Sequence, residues 1–301
     1  MNNVTLRQLR YFEALAQQGH FGRAAETCSI TQPALSVQIK ELEDTLGVKL
    51  FERAARKVRL TGVGEDVLER AIDILRSVDA LGDMARASQA GLSGRLRLGV
   101  IPTIAPYLLP AIVGHLAVSF PEVDVRLRET LTSRLLRELG EGRLDAAILA
   151  LPISDAGLTE VELFDEAFVL VRPLADADCP VPSGDALRGM RLLLLEEGHC
   201  FRNQALAFCN VGPSAPKDGL DGSSFSTLVQ MVGAGIGVTL IPEMAVPIET
   251  RSANVAVFNF PSPQPRRRIG MVWRKTSPLT DQLMRIADLV CESAEDLREK
   301  F

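Results

Sequence analysis

The sequence has no apolar run long enough to cross a membrane. Segments such as Leu192–Leu195 fall far short of the roughly 18 residues that a bilayer requires. The first turns carry Arg7, Arg10 and Glu13 in place of a basic stretch, an apolar core and a small-residue cleavage site. No secretory signal is expected, and a cytoplasmic location with no membrane partner follows. Histidine is scarce: three residues, at 20, 115 and 199, leave little room for general-base chemistry. No Ser/His/Asp arrangement, phosphate loop or paired carboxylates stand out, so no enzyme is expected. The cysteines are five, odd in number and widely spread: Cys28, Cys179, Cys200, Cys209 and Cys291. That excludes a structural disulfide framework. With no C-x-x-C and no Cys/His cluster, no zinc site and no other cofactor is expected.

What is present is an ordinary globular balance, 47% hydrophobic and 24% charged, on a chain long enough for two or three domains. The net charge of −5 hides an asymmetry. Residues 1–60 hold nine Lys or Arg against six Asp or Glu, a net of +3, which leaves −8 for the rest. Arg53, Arg56, Lys57 and Arg59 crowd into seven residues. A small basic unit joined to an acidic body suits a nucleic-acid reader attached to something else.

Thr5 and Gln8 have capping-box spacing, so a helix is expected from Leu6, stopped at Gly19-His20. Phe21, Ala24, Ala25 and Cys28 mark a short second helix, and Thr31 caps a third with Pro33 in its first turn. Leu35, Ile39, Leu42 and Leu46 form one stripe of that helix. Pro33, Ser36, Val37 and Lys40 point the other way. Two helices across a short turn, the second presenting small polar groups and a lysine, describe a helix-turn-helix. Gln32 and Ser36 would reach base edges and Lys40 a phosphate. Lys49 to Thr61 fits a β-wing with Arg53, Arg56 and Lys57 at its tip. A plain three-helix bundle fits the same pattern. The series Ala24-Ala25, Thr31-Gln32-Pro33-Ala34-Leu35-Ser36, Leu46-Gly47, Leu50-Phe51-Glu52-Arg53 and Leu60-Thr61 resembles the winged helix-turn-helix of the LysR family along its whole length. The resemblance implies that residues 1–61 bind double-stranded promoter DNA, with Thr31 and Pro33 also on the DNA-facing surface, and that RNA polymerase is a partner.

From Gly62 to about Ala90 there is no proline. Val63, Val67, Ala71, Ile74, Val78, Leu81 and Ala85 recur at helical spacing, predicting one helix of roughly 40 Å. Its narrow stripe reads either as a two-helix seam or as a face packed on its own effector domain. The resemblance implies that residues 62–90 form a linker helix pairing two subunits, in a dimer of dimers. Gly91 to Gly94 reads as a joint.

Beyond it, strand-like and helical segments alternate: Leu96–Val100, 104–119, Val123–Arg128, Ser133–Leu139 and Leu144–Leu149. Such alternation predicts a parallel sheet with covering helices. A second unit runs from about 165 to 265 with strands at Leu192–Leu195 and Val238–Ile241. The chain then returns to the first unit through Ile269–Trp273 and a last helix from about 280. The expected fold class is thus an α-helical winged helix-turn-helix domain plus a long linker helix, followed by an α/β two-lobed periplasmic-binding-protein-like effector domain at 91–301. Clefts between lobes are where ligands act. Gly233-Ala-Gly235-Ile-Gly237 fails the dinucleotide fingerprint, because it precedes a strand and has no third glycine in place. It reads as a helix end turning into a strand.

Cys200 follows the strand Leu192–Leu195 and stands at the start of a helical segment, Phe201–Phe208, where the helix dipole favours a thiolate. His199 and Arg202 are close by in sequence. Two unrelated core cysteines, at 200 and 209, would give the same pattern. The run Leu195-Glu-Glu-Gly-His-Cys200-Phe-Arg-Asn-Gln-Ala-Leu206, with a second cysteine nine positions after the first, resembles the redox loop of the peroxide-sensing OxyR branch of the LysR family. Ile101-Pro102-Thr103 and Pro265-Arg-Arg-Arg-Ile-Gly270 resemble two other segments of that branch. The resemblance implies that Cys200 is peroxidatic and Cys209 resolving, that Thr103, His199 and Arg267 (Arg266 or Arg268 if the match is one step off) bind hydrogen peroxide, and that a cellular thiol reductant resets the protein. Nine residues of helix separate two thiols by about 13.5 Å, whereas a disulfide needs Cα atoms within roughly 7 Å, so the segment would have to refold. Two positions depart from the branch: Asn203 stands where Asp is frequent, and Asp221 replaces one of the basic residues that help to hold the reduced loop. A LysR-type regulator answering to a small metabolite in the cleft, its cysteines inert, is the other reading.

Overall fold

The computed structural model describes residues 4–54, 57–87, 94–209 and 221–298, in two compact units, Met1–Ala85 and Arg86–Phe301. In the first, α1 (Leu6–Gln18) opens on the expected capping box. Thr5 Oγ1 accepts from Gln8 N–H at 3.2 Å and Gln8 Oε1 from Thr5 N–H at 3.0 Å. Gly19, in the left-handed region at φ 59°, ends the helix. His20 does more than stop it: its Nδ1 accepts from Gly22 N–H at 3.0 Å and caps α2 (Phe21–Thr27). Thr31 Oγ1 accepts from Ala34 N–H and caps α3 (Gln32–Leu46).

Phe12, Leu15, Ala24, Leu35, Ile39, Leu42 and Leu50 are fully buried between these helices. Each large side chain so buried stabilises the unit by about 1.5–3 kcal/mol. Strands β1 (Phe51–Ala54) and β2 (Lys57–Leu60) form an antiparallel hairpin, Phe51 opposite Leu60. Its entry is fixed by Glu43, whose buried carboxylate accepts from the Leu50 and Phe51 N–H groups and from Lys49 Nζ. Burial pushes the Glu43 carboxyl up, but those donors outweigh it and hold it below the usual range.

The predicted long helix is α4 (Gly62–Ala87). Its apolar residues divide between two faces. Ala71 and Leu75 are buried in the unit's own core, with Val67 and Leu68 packed beside them. Val63, Ile74 and Leu81 are exposed. A helix bearing apolar residues over a wide arc serves two faces, which helical spacing alone does not separate. The joint expected at 91–94 lies outside the described residues up to Gly94.

The second unit opens with β3 (Gly94–Val100), α5 (Ala105–Ser119), β4 (Val123–Glu129), α6 (Thr132–Gly140) and β5 (Ala146–Leu151). β4, β3 and β5 pair in parallel, as the alternation predicts. The sheet is nevertheless mixed. β6 (Leu158–Pro173) is a 16-residue strand that passes from one lobe to the other. Beyond it lie α7 (Gly184–Leu187), β7 (Leu192–Leu195), α8 (Cys200–Phe208), β8 (Asp221–Gly222), α9 (Phe225–Gly233), β9 (Val238–Pro242), α10 (Val246–Glu249) and β10 (Val255–Asn259). β11 (Arg266–Arg274) returns to the first lobe, and α11 (Thr280–Arg298) closes the unit. β11 is antiparallel to both β5 and β6, and β6 is antiparallel to β9 and β10. Strands that cross between lobes run back without a covering helix, so they need not be parallel.

Along β6, partners switch from β11, up to Ala167, to β9 and β10 from Phe168 onward. The glycine-rich run is the helix-to-strand turn expected. Gly235 has φ 77°, and a Cβ on Gly237 would stand 2.3 Å from the Arg191 carbonyl oxygen.

Candidate functional site

Cys200 is the first residue of α8 and Cys209 its C-cap, so the whole interval between them is helical. The two thiols occupy different surroundings. Cys200 is half-buried at the end where unpaired N–H groups favour negative charge. Cys209 is fully buried, and burial pushes its thiol up to about 11. His199, the N-cap residue, is itself buried. Burial lowers its pKa and Glu196 opposes the shift, so the imidazole is neutral at neutral pH.

Four further segments meet the start of α8. Phe201 is buried between Phe168 and Phe225, with ring centroids 4.7 and 5.0 Å away. The Arg267 guanidinium of β11 lies 5.4 Å from the Phe201 ring, within cation–π range. Gly198, at φ 101°, abuts Leu131, which a Cβ there would approach to 2.9 Å. Leu131 leads into Thr132, the first residue of α6, whose Oγ1 is buried without a protein partner.

Arg267 is the hub of the polar network. Its Nη1 donates to Thr103 Oγ1 at 2.8 Å, its Nη2 to the Thr103 carbonyl at 2.9 Å and its Nε to Glu166 Oε2 at 2.7 Å. Glu166 Oε1 accepts from Met244 N–H at 3.0 Å. Burial pushes the Glu166 carboxyl up, opposed by Arg267 and the Met244 N–H. Strand alternation separates the three arginines: Arg267 is buried, whereas Arg266 and Arg268 are exposed and Arg268 pairs with Glu162 and Asp165. Thr103 and Arg267 are therefore in direct contact, and Arg267 also faces the residue next to Cys200.

Sequence reasoning missed Thr132, Glu166 and a second interlobe bond. Tyr107 on α5 donates to Glu249 Oε1 on α10 at 2.6 Å, and Ser226 on α9 donates to its other oxygen. These are lone residues joined across 142 positions of chain or fewer, and no local pattern marks them. Asp221, expected to leave α8 without a basic partner, is itself paired with it: Arg202 of α8 donates to Asp221 Oδ1 at 2.8 Å. Asn203 is exposed.

In the first unit, Gln32, Pro33 and Lys40 are exposed on one side of α3, with Val37 beside them, and Ser36 is half-buried. Thr31 lends its oxygen to the helix cap. Arg53 and Lys57 lie on β1 and β2, while Arg56 lies outside the described residues.

Residues 6–65 match the bacterial regulatory helix-turn-helix protein family of the lysR type, and residues 89–294 match the LysR substrate binding domain. The chain belongs to the LysR family. Among LysR-family relatives, it is 42% identical over 291 residues to the DNA-binding transcriptional dual regulator OxyR of Escherichia coli K12, covering 95% of each chain. It is 43% identical over 298 residues to a probable hydrogen peroxide-inducible genes activator of Streptomyces viridosporus, covering 97% of this chain and 95% of that one. A full-length OxyR variant from Pseudomonas aeruginosa has a similar structure, with TM-score 0.73, 37% identity and 96% and 95% of the two chains covered. A Corynebacterium glutamicum OxyR mutant bound to H2O2 gives TM-score 0.67 at 36% identity, with 97% and 93% covered.

Proposed function

We propose that this LysR-family protein is a DNA-binding transcriptional regulator that senses hydrogen peroxide by oxidising Cys200 and joining it to Cys209. The observation that carries the reading is a half-buried thiol at the start of α8 and a fully buried one at its end, with His199 as the N-cap and Arg267, which donates to Thr103, against the ring of Phe201. The relative named as a probable hydrogen peroxide-inducible genes activator supports it.

The Cys200 thiolate attacks one peroxide oxygen. The O–O bond breaks, hydroxide leaves and a sulfenic acid remains. Thr103 Oγ1 accepts from Arg267, so its own O–H remains to donate to peroxide. Arg267 and neutral His199 supply further donors to the leaving oxygen. Cys209 then displaces water from the sulfenic acid and the disulfide forms. In sum, two thiols and one H2O2 give a disulfide and two waters. A cellular thiol reductant returns the two electrons. Because about 13.5 Å of helix separates the thiols and a disulfide tolerates roughly 7 Å between Cα atoms, α8 must unwind. That is a bistable element with a covalent trigger.

The DNA end is residues 1–61. α3 enters the major groove, with Gln32 and Ser36 toward base edges and Thr31, Pro33 and Lys40 along the backbone side. The hairpin β1/β2 is the wing and carries Arg53, Arg56 and Lys57 to phosphates. The linker, residues 62–90, pairs two subunits through the exposed residues of α4. Residues 91–301 complete a dimer of dimers whose arrangement changes on oxidation and is read by RNA polymerase in the cytoplasm. Footprinting of a target promoter with reduced and peroxide-treated protein tests this. The wild-type footprint changes on oxidation and that of Cys200→Ser does not; an unchanged wild-type footprint, or a variant that still responds, refutes the reading.

A further inference from the structure

We propose that the Arg202–Asp221 ion pair is a latch that holds α8 helical and sets how readily the Cys200–Cys209 disulfide closes; this rests on the redox reading above. Arg202 stands in the first turn of α8, two residues after Cys200. Its Nη1 donates to the carbonyl of Leu195, the last residue of β7, and to Asp221 Oδ1, the first residue of β8, both at 2.8 Å. β7 and β8 are themselves bound in register, Leu194 opposite Asp221, and Glu196 N–H donates to the Gly222 carbonyl at 2.9 Å. The latch therefore fastens the moving helix to a strand pair that frames it.

Its position in the chain is equally pointed. The segment that leaves Cys209 re-enters the sheet at Asp221, so one bond ties the peroxidatic end of α8 to the far end of the resolving segment. Unwinding α8 to bring the sulfurs together displaces Arg202 and breaks the pair. Every increment of stability in the latch then favours the dithiol over the disulfide. Arg202 is mostly covered and Asp221 partly exposed, 12% and 37% by side chain, so the pair is of moderate strength and sensitive to salt. Asp221 is thus a positioning residue. It does not touch the reacting atoms.

The test uses full-length protein carrying Asp221→Asn, with Asp221→Glu as the conservative control. Disulfide closure is followed by quenched mass mapping after one equivalent of H2O2, and the dithiol–disulfide equilibrium in a thiol redox buffer. Peroxide attack alone is followed in a Cys209→Ser background. Asp221→Asn is expected to shift the equilibrium about three-fold toward the disulfide and to speed closure, leaving the attack step as in the wild type. Asp221→Glu restores wild-type behaviour, and raised ionic strength moves the wild type toward Asp221→Asn while leaving that variant unmoved. Closure and equilibrium identical to wild type in Asp221→Asn, or a change confined to the attack step, overturns the latch while the switch stands. Absence of any Cys200–Cys209 disulfide in the wild type overturns the switch itself, and the latch with it.

Discussion

Burial gives the thiols of this chain different chemistry. Cys209 has no exposed surface, and its proton is held to about 11, so at neutral pH it is a protonated thiol shielded from reagent. Cys28 is pushed up by burial and Glu13, and Cys291 by burial and then Asp288, Glu295 and Glu292. The sign of the pH dependence follows. A group whose folded pKa is raised stabilises the fold below its unfolded value, near 9.0 for a cysteine here, and loses that contribution as pH rises through about 11. We therefore expect Cys209 to resist alkylation in the folded, reduced protein until the pH approaches about 11, and Cys209→Ala to lose less stability than wild type over that alkaline range. Peptide-resolved labelling across a pH series checks the first, thermal unfolding the second; rapid labelling of Cys209 at neutral pH contradicts both. At this scale the sequence was partly legible. The thiol pair, Thr103 and Arg267 were named through resemblance; that Arg267 is buried and its two neighbours are not depends on which face of β11 is covered. Glu166, Thr132 and Tyr107 depend on contacts between segments far apart in the chain, which no local pattern carries.

At the scale of elements, the start signals were the most readable feature. Thr5, Thr31 and the glycine turn at 235 do what their residue types dictate. The period of α4 was readable too, but not its division between an inward face at Ala71 and Leu75 and an outward one at Ile74 and Leu81. A stripe records that a face is apolar, not what covers it. The mixed sheet was missed because β6 and β11 resemble ordinary covered strands in composition, while their direction is set by the crossing between lobes. α3 carries a prediction of its own. Lys40 is exposed on the polar side of the helix, so Lys40→Ala should weaken binding to all DNA sequences and lower the salt slope by about 1. Gln32→Ala should instead relax preference at one base position, by about 1–3 kcal/mol. Titrations against promoter and scrambled duplexes at several salt concentrations separate the two, and a Lys40→Ala loss restricted to one sequence would reverse the assignment.

At the scale of the molecule, the effector unit is held across its lobes by two polar ties, the buried Thr103–Arg267–Glu166 and Tyr107–Glu249–Ser226, whose Tyr107–Glu249 bond is buried. Buried polar networks of this kind favour one arrangement of the lobes. Neither tie includes a residue of α8, the element that the proposed switch would unwind. The central claim is that peroxide acts on this element through a specific pair of thiols. Peptide mass mapping after brief exposure to near-stoichiometric hydrogen peroxide, on wild type and Cys200→Ser, tests it most directly. The account predicts a Cys200–Cys209 disulfide that forms quickly in the wild type and is absent from the variant. Two reduced thiols in the wild type would contradict it and turn attention to a small-molecule effector in the cleft.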